Sequence, residues 1–205
     1  MLANLAADVE RLAAGADGRF LLGIAGPPAS GKSTLAEQLA ARIPNAVMLP
    51  MDGFHLDDGI LEARGHRSRK GAPHTFDAAG FVALLERLKS GAHVYAPSFD
   101  RDLEISRAGA IEIGTDSRIV IVEGNWLLYD QDGWPQVRRA LDACWYLDIP
   151  EEELIARLEA RWLHHGKTLQ EGKDWIAQND LPNARLAAAT KIAADRVLTM
   201  DALNG

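Results

Sequence analysis

The sequence predicts an α/β fold in which helices cover a parallel sheet. Apolar runs that predict strands alternate along the chain with runs of helical periodicity. Most of the strand-like runs are continuously apolar, which is typical of parallel strands that are buried on both faces. The 205 residues suit one domain, because single hydrophobic cores extend to about 250 residues.

The predicted strands of the sheet are Phe20–Ala25, Ala46–Met51, Arg118–Val122, Cys144–Ile149 and Arg196–Met200. The predicted helices are Leu5–Ala14, Lys32–Ile43, Ala78–Lys89, Glu151–His164 and Pro182–Ala194. The alternation is interrupted by two short strands that predict a β-hairpin, Val94–Asp100 and Ala110–Gly114. Two long polar segments are predicted to be functional loops, Asp57–Thr75 and Lys167–Asp180.

Composition excludes several classes of function. The net charge is -7, so the chain lacks the broad basic face that non-specific nucleic-acid binding requires. No apolar run reaches the roughly 18 residues of a membrane span, so we expect a soluble protein without a membrane partner. The single cysteine, Cys144, excludes an intrachain disulfide and is predicted to be a buried thiol. A cytoplasmic location is the default expectation.

One motif predicts a phosphate-binding loop. It has a glycine, four variable positions, then glycine, lysine and serine, and it stands between a predicted strand and a predicted helix. The backbone N–H groups of such a loop cradle phosphate oxygens, the lysine reaches the β- and γ-phosphates, and the hydroxyl suits Mg²⁺. The predicted ATP- and Mg²⁺-binding residues are Gly26, Pro27, Pro28, Ala29, Ser30, Gly31, Lys32, Ser33 and Thr34.

Two carboxylates follow predicted strands. Asp52 comes after Ala46–Met51, and Glu123 comes after the strand that ends at Val122. Ligands of an open parallel sheet bind outside the carboxyl ends of its strands, so both side chains are expected to face the cleft of Lys32. Phosphoryl transfer to an alcohol needs one carboxylate for the hydroxyl and another for the metal, and we assign Asp52 and Glu123 to these roles. The alternatives are a turn residue for Asp52 and a helix-capping residue for Glu123.

The order of the motifs resembles the uridine kinase, pantothenate kinase and phosphoribulokinase group. The segments that carry the resemblance are Gly26–Thr34, Met51–His55 and Val122–Asn125. Two further segments are similar to bacterial proteins described as fructose transport system kinases, Arg69–Asp77 and Asn179–Ala184. The resemblance implies a P-loop NTPase fold of three αβα layers with five parallel strands ordered 2-3-1-4-5. It also implies that Asp52 is the general base and that Glu123 supports Mg²⁺.

The resemblance further implies a lid over the nucleotide, at about residues 151–180 of the single domain, that supplies arginines to the phosphates. The candidates are Arg157 and Arg161, which lie four residues apart and share one helix face. Arg157 has an equally favoured alternative, a surface ion pair with Glu153. With Asp52 and Lys32, Arg161 completes the predicted catalytic set.

The predicted substrate residues lie in two places. Asp100 and Arg101 belong to the hairpin, where they are predicted to meet hydroxyl and anionic groups, although a solvated ion pair is an alternative. Phe54 and His55 follow the predicted base and are predicted to wall the acceptor pocket, with core packing an alternative for Phe54. Within the basic run 64–70, a solvated surface is favoured for Arg64 and Arg67, whereas Arg69 and Lys70 are left open.

The sequence therefore predicts an ATP- and Mg²⁺-dependent kinase of a small-molecule alcohol. The resemblance favours a sugar such as fructose as acceptor, and leaves nucleosides and pantothenate-like or glycerate-like compounds open. A nucleotide-dependent regulatory NTPase is the alternative from another class. A binding protein without turnover is disfavoured by the intact Lys32, Ser33, Asp52 and Glu123. Homo-oligomerisation is left open.

Overall fold

A five-stranded parallel sheet forms the centre of the protein. The computed structural model describes residues 1–199, which contain seven strands: β1 (Phe20–Ala25), β2 (Ala46–Pro50), β3 (Val94–Asp100), β4 (Ile105–Ile113), β5 (Ile119–Gly124), β6 (Ala143–Asp148) and β7 (Arg196–Thr199). The order in the large sheet is β2-β5-β1-β6-β7, and β3 and β4 form a separate antiparallel pair. Counted among themselves, the five parallel strands run 2-3-1-4-5, the order that the resemblance implies.

Eight α-helices accompany these strands within residues 1–199: α1 (Leu2–Ala14), α2 (Lys32–Arg42), α3 (Asp58–Ala63), α4 (Ala78–Lys89), α5 (Trp134–Ala140), α6 (Glu151–His164), α7 (Leu169–Trp175) and α8 (Leu181–Ala189). A 3₁₀ turn, Met51–Phe54, follows β2, and a π-helical segment, Ile176–Asp180, joins α7 to α8. No helix in this part of the chain combines the length and the apolar character that a membrane crossing requires.

Side chains of the sheet alternate between two apolar layers. In β1, Leu22 and Ile24 pack in the layer formed with α1 and α2, whereas Leu21 and Ala25 pack in the layer of α4 and α5. All six residues of β1 and of β5 are buried, as expected for strands covered on both faces. The fold class predicted from the continuous apolar runs is therefore confirmed.

Several predicted boundaries need correction. The segment 167–180 is helical, because it contains α7 and the π-helical segment rather than a polar loop. The sequence pattern also does not predict α3 and α5, which have only six and seven residues. The second hairpin strand begins at Ile105 rather than Ala110, and the final helix ends at Ala189 before a 3₁₀ turn. The last predicted strand residue, Met200, lies outside the described residues.

A third, smaller apolar cluster lies beyond the end of the sheet. It joins Leu154 and Leu158 of α6 to Ile176 of the π-helical segment and Ala184 of α8. The first turn of α7 is fixed by a capping box, in which Thr168 and Glu171 bond each other's backbone N–H groups. These contacts give the segment between α6 and α8 an apolar core of its own.

Candidate active site

The phosphate-binding motif forms a loop between the end of β1 and the start of α2. Gly31 has a φ of 94°, which glycine adopts without strain, and a Cβ on Gly26 would lie 3.0 Å from the Leu147 carbonyl oxygen. The backbone N–H groups of residues 31–34 have no backbone acceptor within residues 1–199, and the Ser30 hydroxyl is buried without a partner there. These free donors fit the oxygens of a phosphate group at a helix N-terminus.

A narrow cleft opens beside this loop. The loop contributes Pro28 and Lys32, the turn after β2 contributes Asp52 and His55, and the hairpin contributes Arg101. The predicted hydroxyl-binding carboxylate and the predicted phosphate-binding lysine are thus brought to one cleft. A second cavity of about 750 Å³ adjoins it between the hairpin and the C-terminal half of α6.

The floor of the cleft is a charged cluster. The Lys32 ammonium lies 3.9 Å from the Glu123 carboxylate, and both side chains are almost fully buried. Burial lowers the pKa of Lys32, although Glu123 and Asp52 oppose this change. Burial raises the pKa of Glu123 against the effects of Lys32 and the nearby Ser33 hydroxyl. A divalent cation beside Ser33 and Glu123 would relieve this burial cost, because it would stabilise the carboxylate.

Asp52 remains the more acidic of the two carboxylates. It lies in the 3₁₀ turn Met51–Phe54, and its carboxylate accepts a hydrogen bond from the Arg101 guanidinium. Burial opposes ionisation, but charge interactions with His55, Arg101 and Lys32 lower the pKa of Asp52 on balance. The carboxylate is therefore ionised at neutral pH and able to accept a proton or a hydrogen bond.

His55 lines the cleft and is held there by aromatic rings. Its imidazole lies 4.0 Å from the ring of Phe76 and 4.5 Å from that of Phe99. Nδ1 lies 2.8 Å from the Asp52 carbonyl oxygen, and burial lowers the pKa of His55. A neutral ring must donate from Nδ1 to that carbonyl, which leaves Nε2 as an acceptor.

Two of the predicted substrate residues are not brought to the cleft. The Phe54 ring packs 4.7 Å from Phe81 in the main core. The Asp100 carboxylate accepts hydrogen bonds from the N–H groups of Asp102 and Leu103, and so caps the turn of the hairpin. Neither side chain lines the cleft. His55 and Arg101, the residues that directly follow them, do line the cleft, because successive side chains leave the backbone in different directions.

The two arginines predicted to belong to a lid, Arg157 and Arg161, lie at different depths. Arg157 donates to the carbonyl of Ser30 in the phosphate loop and to the Glu153 carboxylate, so the ion pair with Glu153 is present, whereas a contact of Arg157 with the phosphates stays a prediction. Arg161 reaches the cleft itself and lies against the indole of Trp162, 5.6 Å from the ring centroid. Burial and the neighbouring Arg101 lower the pKa of Arg161.

The basic run 64–70 is largely neutralised by neighbouring carboxylates. Lys70 is 8% exposed and lies 2.7 Å from Asp58 and 3.0 Å from Glu104. Arg67 lies 2.8 Å from the same Asp58 carboxylate. Arg69 donates to the Gln178 carbonyl and so ties this run to the π-helical segment. Lys70 and Arg67 nevertheless line the cleft. A ligand contact is left open for Lys70 in the sequence analysis, whereas a solvated surface position is favoured for Arg67.

Several polar and aromatic residues that line the cleft were not predicted from the sequence. Asn125 directly follows Gly124, and its amide oxygen is buried without a hydrogen-bond partner in the described chain. Trp162 of α6, Trp175 of α7, and Asn179 and Asp180 of the π-helical segment also line the cleft. Asn125 could have been predicted as a site residue, because it belongs to the Val122–Asn125 motif at the end of β5. The residues between α6 and α8 could be predicted only if α7 had been recognised as a helix.

Comparisons with known proteins place this geometry in a family. The Escherichia coli K12 protein YggC is 33% identical over 188 residues, which cover 89% of this chain and 78% of YggC. The Schizosaccharomyces pombe protein named "Putative uridine kinase C227.14" is 33% identical over 194 residues, which cover 88% of this chain and 83% of that protein. No protein-family model matches the chain.

A solved structure agrees over nearly the whole length. It is described as a "putative fructose transport system kinase from Silicibacter sp. TM1040", with 43% identity and a TM-score of 0.91 over 97% of this chain and 98% of that one. The chain therefore belongs to the P-loop kinases that include the uridine kinase-like proteins. It is an ATP-dependent phosphotransferase.

Proposed function

We propose that the protein transfers the γ-phosphoryl group of ATP, with Mg²⁺, to an alcohol of a small molecule. One observation carries this proposal: Asp52 and Lys32 line the same cleft, so a carboxylate for a hydroxyl and an ammonium for a phosphate face each other. A kinase of alcohols needs this pairing, because the hydroxyl must be oriented for in-line attack while the transferring charge is stabilised. A nucleotide switch needs no such carboxylate.

The nucleotide end of the site has a role for each residue. The free N–H groups of residues 31–34 and the Lys32 ammonium would hold the phosphates. Ser33 and Glu123 would hold Mg²⁺, directly or through water, and the metal would neutralise charge on the phosphates. Arg157 would fix the loop through Ser30, and Arg161 would stabilise charge on the transferring group.

The part of the cleft that would bind the acceptor contains a base, hydrogen-bond acceptors and aromatic side chains. Asp52 would accept the proton of the attacking hydroxyl. His55 Nε2 and the unpaired Asn125 oxygen would accept hydrogen bonds from further hydroxyl groups. Trp162 and Trp175 would cover the apolar face of the acceptor and exclude water when the lid, about residues 151–180, closes.

We propose a sugar as the acceptor class, with fructose as the first compound to test. The support is the description of the Silicibacter structure and a cleft lined by polar groups with two indoles. Nucleosides, pantothenate-like and glycerate-like compounds fit the same chemistry. We also propose that the protein is a single domain that acts in the cytoplasm and has no nucleic-acid partner. Homo-oligomerisation is left open.

The test is Mg²⁺-dependent ADP formation from ATP, with and without a panel of sugars, nucleosides, pantothenate and glycerate. We expect at least one alcohol to raise turnover well above the acceptor-free rate, and EDTA and Lys32→Met to abolish the increase. Lys191→Met is the matched control, because Lys191 pairs with Asp148 away from the cleft. Equal turnover with and without every alcohol would instead support a regulatory NTPase.

A further inference from the structure

The cleft is basic although the chain as a whole is acidic. The net charge of the chain is -7. Among the described residues, the basic side chains that line the cleft outnumber the acidic ones: Lys32, Arg67, Lys70, Arg101 and Arg161 against Asp52, Glu104 and Asp180. A cleft lined mainly by one sign of charge attracts ligands of the opposite sign.

Three of these cations have other partners. Lys70 is held between Asp58 and Glu104, and Arg67 pairs with the same Asp58. Lys32 faces Glu123 at the phosphate loop. Their charges are therefore balanced by carboxylates or directed at the nucleotide. Arg101 has no such role, and Arg161, which is proposed to stabilise the transferring phosphoryl group, lines the same two cavities as Arg101 and can also contact an anionic group of the acceptor.

These two guanidinium groups lie at the junction of the cleft and the larger cavity beside it. Arg161 is half-buried and forms no ion pair or side-chain hydrogen bond with a carboxylate in residues 1–199, although Asp180, Asp52 and Glu104 lie near enough to interact with its charge. Arg101 has one partner, Asp52, and that carboxylate is the proposed base. Two neighbouring guanidinium groups repel each other in a partly dry site unless an anion lies between them.

The pair has a direct consequence for catalysis. While Arg101 donates to Oδ2 of Asp52, a substrate hydroxyl must share the carboxylate with the guanidinium, whose charge also lowers the pKa of Asp52 and weakens it as a base. A ligand whose anionic group binds Arg101 would draw the guanidinium away and free the carboxylate. Carboxylate and phosphate groups match the planar guanidinium fork, which no neutral alcohol does.

We propose that the acceptor carries a carboxylate or phosphate group, and that Arg101 together with Arg161 binds this group and thereby releases Asp52. The inference rests on the proposed kinase function and narrows its acceptor to sugar acids, sugar phosphates or hydroxy acids. A neutral alcohol leaves Arg101 on Asp52 and is phosphorylated slowly. Hydrolysis of ATP by water is slow for the same reason, because water also leaves Arg101 bonded to Asp52.

The test compares acceptors in pairs that differ in charge: fructose 6-phosphate with fructose, glycerate with glycerol, and pantothenate with pantothenyl alcohol. For the productive pair we expect kcat/KM to be about 10- to 100-fold higher for the acidic member, the range that charged hydrogen bonds provide. Arg101→Gln should abolish this ratio and raise the acceptor-free rate of ATP hydrolysis. Arg107→Gln is the matched control, because Arg107 is exposed on the same hairpin and pairs with Asp100.

A second measurement separates this inference from the kinase proposal. Intrinsic tryptophan fluorescence, with Trp162 and Trp175 in the cleft, reports binding of the same compounds and of inorganic phosphate without ATP. Acid-selective binding that Arg101→Gln removes, without phosphorylation of any compound, would support the anion site and contradict the proposal that one of these alcohols is the acceptor.

Three results would overturn the inference. The first is a neutral member that is used as well as its acidic partner. The second is fluorescence binding that does not distinguish acids or phosphate from neutral alcohols. The third is an Arg101→Gln variant that raises the KM for ATP while the acid-to-neutral ratio stays unchanged, because the anion would then be the nucleotide phosphate.

Discussion

Gly53 offers the sharpest structural test of how Asp52 is positioned. It is buried directly after Asp52 in the 3₁₀ turn, and it packs against the backbone of the hairpin strand β3. A Cβ at this position would lie 2.4 Å from the Pro97 carbonyl oxygen and 2.7 Å from its carbonyl carbon. Backbone atoms cannot rotate away as a side chain does, so Gly53→Ala must push the turn and the strand apart.

The size of the displacement follows from these distances. Ordinary contacts of a Cβ begin at 3.4 Å, so the turn and the strand must separate by about 1 Å (3.4 − 2.4 Å). A misplacement of about 1 Å at a catalytic group lowers the rate by about 100-fold, equivalent to about 2.7 kcal/mol. The strain should also lower the free energy of unfolding by about 1–3 kcal/mol.

The assay is acceptor-dependent ADP formation, with urea unfolding measured on the same protein. We expect Gly53→Ala to lower kcat by about 100-fold while the protein remains folded. The control is Gly15→Ala, since a Cβ there would lie 3.6 Å from its nearest neighbour at an ordinary φ of −86°. Wild-type kcat in Gly53→Ala would refute the claim that this turn positions the base.

Three further predictions concern stability and reactivity. Arg19 is 4% exposed and donates to four backbone carbonyls, so Arg19→Met should lower the free energy of unfolding by about 3–5 kcal/mol, and a loss below 1 kcal/mol in urea would contradict this role. Burial raises the pKa of the Cys144 thiol to about 12, so native protein at pH 8 should resist iodoacetamide and react only in urea; rapid native labelling would disprove the burial. Thr168→Ala removes the capping box of α7 and should cost about 1 kcal/mol locally, seen as faster amide exchange in residues 169–175, and unchanged exchange would show that packing alone holds α7.

The parts of the fold that the sequence predicted are those with strong local signals. The strand Phe20–Ala25 and the helices Ala78–Lys89 and Glu151–His164 have the predicted bounds, because apolar pattern and flanking residues agree at each end. The region 167–180 was predicted wrongly because its composition is polar, although the threonine–glutamate pair that caps α7 was visible. The seven-residue α5 is too short for helical periodicity to identify.

The candidate site likewise has residues that the sequence could predict and residues that it could not. The phosphate loop could be predicted because its spacing is set by backbone geometry within one segment. The direction of a side chain beside a turn could not, as Phe54 and Asp100 show, because it depends on what packs against the turn. The contact of Arg101 with Asp52 joins residues 49 apart in the sequence, and only the hairpin's position in the fold brings them together.

The central claim is that Asp52 serves the acceptor hydroxyl in a cleft shared with the phosphate loop. The most direct measurement is the rate of formation of phosphorylated acceptor by the wild type, by Asp52→Asn and by Asp100→Asn, with the productive acceptor of the panel. We expect a loss of at least about 100-fold for Asp52→Asn, the scale of general base catalysis, and near-normal turnover for Asp100→Asn. Equal rates in Asp52→Asn and the wild type would contradict the account.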